Sequence, residues 1–246
     1  MKLFVFALIL AVCGAIMLTT PSYAQLEIGG DFVTDYVWRG DNILDGNPAI
    51  QPSINYPFAE TGVTFNVWGS FSLADRDVGS VRKADEMDIT LSYDHSHESM
   101  DISMGFIHYN FFQNDDWPDE NTSTYEVYLG LGMNDLAFLP SLTIYFDPNE
   151  KGGDGMYVSL SAGGSWETNK GLTVNESISI GYMDQSYIRK ESDAGISDIN
   201  YSIGTSLNKG NMSLSPTFTF TYIPDKDYDP DHFIFWGSLG IGWSSK

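Results

Sequence analysis

The sequence predicts an all-β chain, closed as an antiparallel transmembrane β-barrel of twelve strands. Three observations predict it. Apolar and polar residues alternate with period two from Leu26 to Trp243. The connectors between these runs switch regularly between long and short. The polar positions are filled mostly by Ser, Thr, Gly and Asn, opposite a face rich in aromatic and branched residues.

Residues 1–24 stand outside this pattern. Lys2 precedes an apolar run from Leu3 to Leu18, and Ser22-Tyr23-Ala24 offers small residues to a signal peptidase. The expectation is an export signal cleaved before Gln25, leaving 25–246 as the barrel domain. Cys13 is the only cysteine and falls within the leader. Disulfides, thiolate metal sites and Cys nucleophiles are therefore not expected in the barrel.

The first run sets Leu26, Ile28, Phe32, Tyr36 and Trp38 against Glu27, Asp31, Asp35 and Arg39. The alternation predicts Phe32, Tyr36 and Trp38 against lipid, with Trp38 in an aromatic girdle. Asp31, Asp35 and Arg39 are then expected in the lumen. Arg39 is expected to pair with Asp35, as a structural ion pair or as a charged constriction at the mouth.

Eleven further runs follow. Ile50, Ile54 and Tyr56 form the second, and Val63, Phe65, Val67 and Phe71 the third. Met87, Ile89, Leu91 and Tyr93 face away from Asp88 and Asp94 in the fourth. The fifth carries Met100 to Phe106, and the sixth Tyr125 to Leu131, with Glu126 on the polar side. Leu142, Ile144 and Phe146 mark the seventh, Val158, Leu160 and Trp166 the eighth, and Val174, Ile178 and Ile180 the ninth. Ile199, Tyr201 and Ile203 oppose Asp198 in the tenth. The last two end in Tyr222 and Trp243. Most runs are near the ~9–11 residues that a tilted strand needs to cross a bilayer.

The longer connectors, such as "RGDNILDG", "QNDDWPDEN" and "PDKDYDPD", are mostly acidic and are expected outside the cell. Tighter ones, such as "PFAETG" and "NKGN", are expected as periplasmic turns. One short-side connector, "MNDLAFLP", is longer and apolar. An even strand number places both termini in the periplasm. A soluble β-sandwich does not require this regular alternation of loop length.

Two places resist the pattern. Glu176 falls on the lipid face of the ninth run, near the periplasmic end. In "GFIHYNFF" the register puts His108 and Asn110 toward lipid. A bulge after Phe106 is the expected remedy. It would bring His108 and Asn110 inward and turn Ile107, Tyr109 and Phe111 outward.

Composition limits the function. The formal net charge is −21, which excludes nucleic-acid binding through a basic patch. Of the four histidines, His95 and His97 fall in "HSH", expected as an exposed periplasmic turn, His108 has Asn110 where a Ser nucleophile would be suggestive, and His232 is expected as a loop contact, so no enzyme is expected. Asp225, Asp227, Asp229 and Asp231 alternate in the last long loop as a weak candidate for Ca²⁺ or Mg²⁺, and no other cofactor is expected. The expected partners are outer-membrane lipid, lipopolysaccharide and the barrel-assembly machinery during insertion.

The stretch "DYVWRGDNILDGNPAIQPSINY", residues 35–56, resembles the opening strand, Arg-Gly loop and second strand of the Gcw_chp family of bacterial outer-membrane proteins. "MDISMGFIHYNF" and "TYEVYLGL" resemble its middle segment. The resemblance implies an outer-membrane barrel and carries no established activity or catalytic residues.

The lumen candidates are therefore Asp31, Asp35, Arg39, Asp88, Glu126 and Asp198. Their acidic balance predicts a small pore for neutral or cationic solutes. Tyr109, Tyr128, Tyr145, Tyr157 and Trp236 are large enough to close it, which leaves a non-conducting scaffold with cation-binding loops as the alternative. A lipid-modifying enzyme is the third and weakest.

Overall fold

A computed structural model describes residues 25–73, 85–112, 123–148, 155–168, 172–184, 193–225 and 231–245. Twelve strands form the wall. They are β1 (Glu27–Val33), β2 (Ala49–Pro57), β3 (Val63–Ser72), β4 (Asp85–His97), β5 (Met100–Phe112) and β6 (Ser123–Met133). Next come β7 (Ser141–Asp147), β8 (Gly155–Glu167), β9 (Thr173–Met183), β10 (Gly195–Thr205), β11 (Met212–Tyr222) and β12 (Phe233–Ser244). Each pairs antiparallel with its chain neighbours. β1 then pairs with β12, from Glu27↔Ser244 to Val33↔Ser238, and the barrel closes. Closure gives each of the twelve strands a partner on both sides, the condition for a sheet to sit in hydrocarbon.

The alternation in the sequence sorts side chains across this wall. Phe32, Ile50, Leu160, Phe218, Phe220, Phe235 and Ile241 all point outward and are exposed. A continuous apolar belt of this size is far beyond what a soluble monomer presents. Tyr56, Tyr93, Trp166, Tyr182, Tyr222 and Trp243 lie outward near the strand ends, as girdles require.

One end of the barrel carries the short connections. One is the two-residue turn between His97 and Met100, where Glu98 takes a positive φ of 51°. β4 therefore runs through the "HSH" segment, and His95 and His97 stack in a ladder on Tyr93 rather than forming a loose turn. The other end carries the long connections. The first of these, residues 34–48, folds into the barrel and contains a small hairpin, Val37–Trp38 paired with Asp41–Asn42.

That hairpin corrects the expectation for Tyr36 and Trp38. β1 stops at Val33, and neither ring faces lipid. Tyr36 hydrogen-bonds Glu86 of β4, and Trp38 packs edge-on against Tyr109 of β5. The period-two pattern runs on past the strand because a hairpin is itself extended backbone.

The expected bulge after Phe106 is also overturned. β5 pairs in unbroken register with both β4 and β6, and Tyr109 points inward. His108 and Asn110 stay outward and satisfy each other at 2.9 Å, with Asn110 also donating to the Met87 carbonyl at 3.1 Å. These bonds remove the penalty that the bulge would have relieved. A register shift occurs instead between Gly181 and Tyr182, opposite β10, where both Ser197 and Asp198 are buried inside. Glu176 lies on the outer face as expected and accepts a hydrogen bond from Tyr201 at 2.9 Å.

Candidate functional site

The long-loop half of the lumen is filled. Val37 packs on Tyr157, Met183, Ile223 and Ile234 of four different strands or their ends. Leu44 is fully buried against Val33 and Ala49. Both apolar clusters are inside the barrel, and both include residues of the inward loop.

Arg39 stands at the tip of the hairpin and crosses to the far wall. Its two terminal nitrogens donate to the two carboxylate oxygens of Glu126 on β6, at 2.7 and 2.9 Å. This is the bidentate fork that guanidinium and carboxylate planes favour. Tyr109 donates to the same Glu126 at 2.9 Å. The guanidinium carbon lies 4.5 Å from the centre of the Trp38 ring, and 4.3 Å from those of both Tyr145 and Tyr157. Side-chain exposures of 7% for Arg39 and 2% for Glu126 place the pair out of bulk water. Such a pair is held by geometry as much as by charge, because desolvation offsets much of the attraction.

Local sequence builds the tip. Arg39 has a φ of 51°, a conformation that non-glycine residues seldom adopt. Gly40 follows at φ 84°, and a Cβ there would stand 2.7 Å from the Ser197 carbonyl. Only glycine lets the turn approach β10 so closely. The tip therefore touches β6 through Arg39 and β10 through Gly40.

Other inward carboxylates surround it. Glu86 accepts from Tyr36 at 3.1 Å, and Asp88, two residues on, is buried on the same face of β4. Asp198 accepts from Ser197 and Asn200, each at 2.6 Å, and from Tyr157 at 3.3 Å. The missing side chain of Gly181 makes room for Asp198 and the Tyr157 hydroxyl.

Sequence reasoning thus named Arg39, Glu126, Asp88 and Asp198, and the structure brings them to one level of the barrel. It does not bring Asp35 to Arg39. Asp35 is buried in the bend after β1 and accepts from the Tyr36 amide at 2.8 Å. Asp31 is inward on β1, opposite Gly240 of β12. Of the loop candidates, Asp225 and Asp231 flank the end of β11 and the start of β12, and Asp227 and Asp229 lie outside the described residues. Among the described residues no group of three or more acidic or histidine side chains is arranged to hold a metal. Glu86, Trp38 and Tyr36 were missed as site residues, whereas Tyr109 was counted among the rings large enough to close the lumen and then turned outward by the expected bulge. Glu86 shares the parity of Asp88, and Tyr109 that of Asp101 and Ser103, so unbroken alternation would have found the first and kept the second inward.

The short-turn half differs. Ser, Thr, Asn and Gly line it, and open cavities lie along it. One of about 380 Å³ is bordered by Asp94, Asp101, Gly130 and Thr143. Another, of about 310 Å³, is bordered by Asn175, Ser177, Ser202 and Thr217. Leu139 borders both.

A closed ladder, an apolar belt and a charged interior define a transmembrane β-barrel of the outer-membrane type. A family model described as a bacterial protein of unknown function (Gcw_chp) matches residues 20–234, and the chain belongs to that family. Among solved structures, the NanC porin is 9% identical over 90% of this chain and 99% of its own, with a TM-score of 0.52. An outer membrane channel from Pseudomonas putida F1 is 10% identical over 92% of this chain and 97% of its own, with a TM-score of 0.49. The likeness to the NanC porin is one of fold. No curated relative matches the sequence.

Proposed function

We propose that the protein is a small outer-membrane channel for neutral or cationic solutes, constricted by its own first loop. In this reading residues 1–24 are removed on export, the termini and short turns face the periplasm, and the long acidic loops face outward. Lipid and lipopolysaccharide are its surroundings, and the assembly machinery is its partner during insertion. The acidic outer loops collect Ca²⁺ or Mg²⁺ only weakly, and no catalytic role is assigned.

The observation that carries the reading is the lining of the short-turn half. Hydroxyl, amide and acidic groups border water-sized space, and Asp94 and Asp101 give it a negative sign. Refolded protein in planar bilayers should give discrete conductance steps with cation over anion selectivity. Silence from correctly folded wild-type protein and from variants lacking the Arg39 contact would sink the reading. A non-conducting scaffold is the second reading, favoured by the filled long-loop half, and that silent result is what it predicts.

A further inference from the structure

The contacts around Arg39 have the chemistry of a ligand site that is already occupied. Among the contacts described for the guanidinium, all but that with Trp38 come from the wall. Glu126 supplies a bidentate carboxylate, and Tyr109 orients it. Tyr145 and Tyr157 present ring faces at 4.3 Å. A carboxylate fork beside aromatic faces is how proteins recognise a planar organic cation. The occupant arrives on a hairpin whose backbone is strained at Arg39 and tightly fitted at Gly40. Strain of that kind favours release, and the cage opposes it.

We propose that Glu126, Tyr109, Tyr145 and Tyr157 form a binding site for guanidinium-bearing solutes, which Arg39 fills as a tethered stand-in. A solute that carries a guanidinium group competes with Arg39 for the cage, displaces the hairpin, and so admits itself. This inference rests on the channel reading for its meaning in the cell, but the binding step does not need conductance.

The test uses the full-length barrel refolded in detergent and guanidinium chloride at millimolar concentration, with equal KCl as control. In Arg39→Ala the cage is vacant. Guanidinium should raise its thermal unfolding midpoint and bind with a Kd in the millimolar range. Wild type, with the cage filled, should respond far less. The double variant R39A/E126Q, which lacks the carboxylate, should lose the response. Equal responses from R39A and R39A/E126Q, or an equal response from wild type, overturn the proposal. If R39A does not fold in KCl, folding yield becomes the readout. Recovery in guanidinium chloride but not KCl then supports the site, and no recovery overturns it. Binding without conductance would remove the channel reading and keep the site. Conductance without binding would do the reverse.

Discussion

The two halves of the lumen are built by the same strands to opposite ends. Along β12 the inward residues run from Ile234 and Trp236 at the long-loop end to Ser238, Gly240 and Gly242 at the other. Along β8 they run from Tyr157 to Ser159, Ser161 and Gly163, and along β6 from Glu126 to Gly130 and Gly132. Bulk and buried charge gather where the hairpin docks, and small polar groups gather where the cavities lie. The difference teaches that the barrel has a packed core, but only in half its height. Residues 34–48 complete that core, in the way a ligand or a second sheet would in a soluble fold.

The comparison breaks most sharply at Arg39. Arg39→Ala leaves Glu126 buried without its counter-charge, and should lower stability by about 3–5 kcal/mol. Urea unfolding of the refolded barrel measures this. R39A/E126Q should lose less than the two single changes combined, because neither partner is stranded. An unchanged unfolding midpoint for R39A would mean that the pair contributes nothing.

Leu44→Ala comes next. A fully buried leucine cut to alanine in a packed core costs about 2–5 kcal/mol, and the hairpin should loosen with it. Faster protease cleavage within residues 34–48 than in wild type would report that loosening. The short-turn half should answer differently. Asp94→Asn with Asp101→Asn should leave stability nearly unchanged but move the reversal potential toward anions. The shift should shrink at high salt, where accessible charges are screened. Smallest of all, Ser161→Ala removes the 2.7 Å hydroxyl contact with Ser141 and should cost about 0.5–1.5 kcal/mol with little effect on conductance.

What the sequence made legible follows the same divide. The twelve strands and their order could be read because a bilayer on one side and a lumen on the other enforce period two along every strand. The hairpin could not, because Tyr36 and Trp38 keep the parity of Phe32 after the strand has ended at Val33. Thr34-Asp35 and the Arg39-Gly40 turn were the available signs of a break. Arg39 was rightly placed in the lumen, but its partner lies 87 residues away across the barrel, and local spacing pointed to Asp35 instead. At His108, a rule against polar groups in lipid overrode an alternation that was correct. It failed because a neighbouring amide and a carbonyl met the need on the spot.

The hairpin, held by the Arg39–Glu126 pair, fills the long-loop half. Single-channel conductance of wild type and R39A/E126Q, side by side in the same bilayers, tests it most directly. Conductance should be several-fold larger, or appear where wild type has none, once the pair is gone. Identical conductance from the two proteins would contradict it.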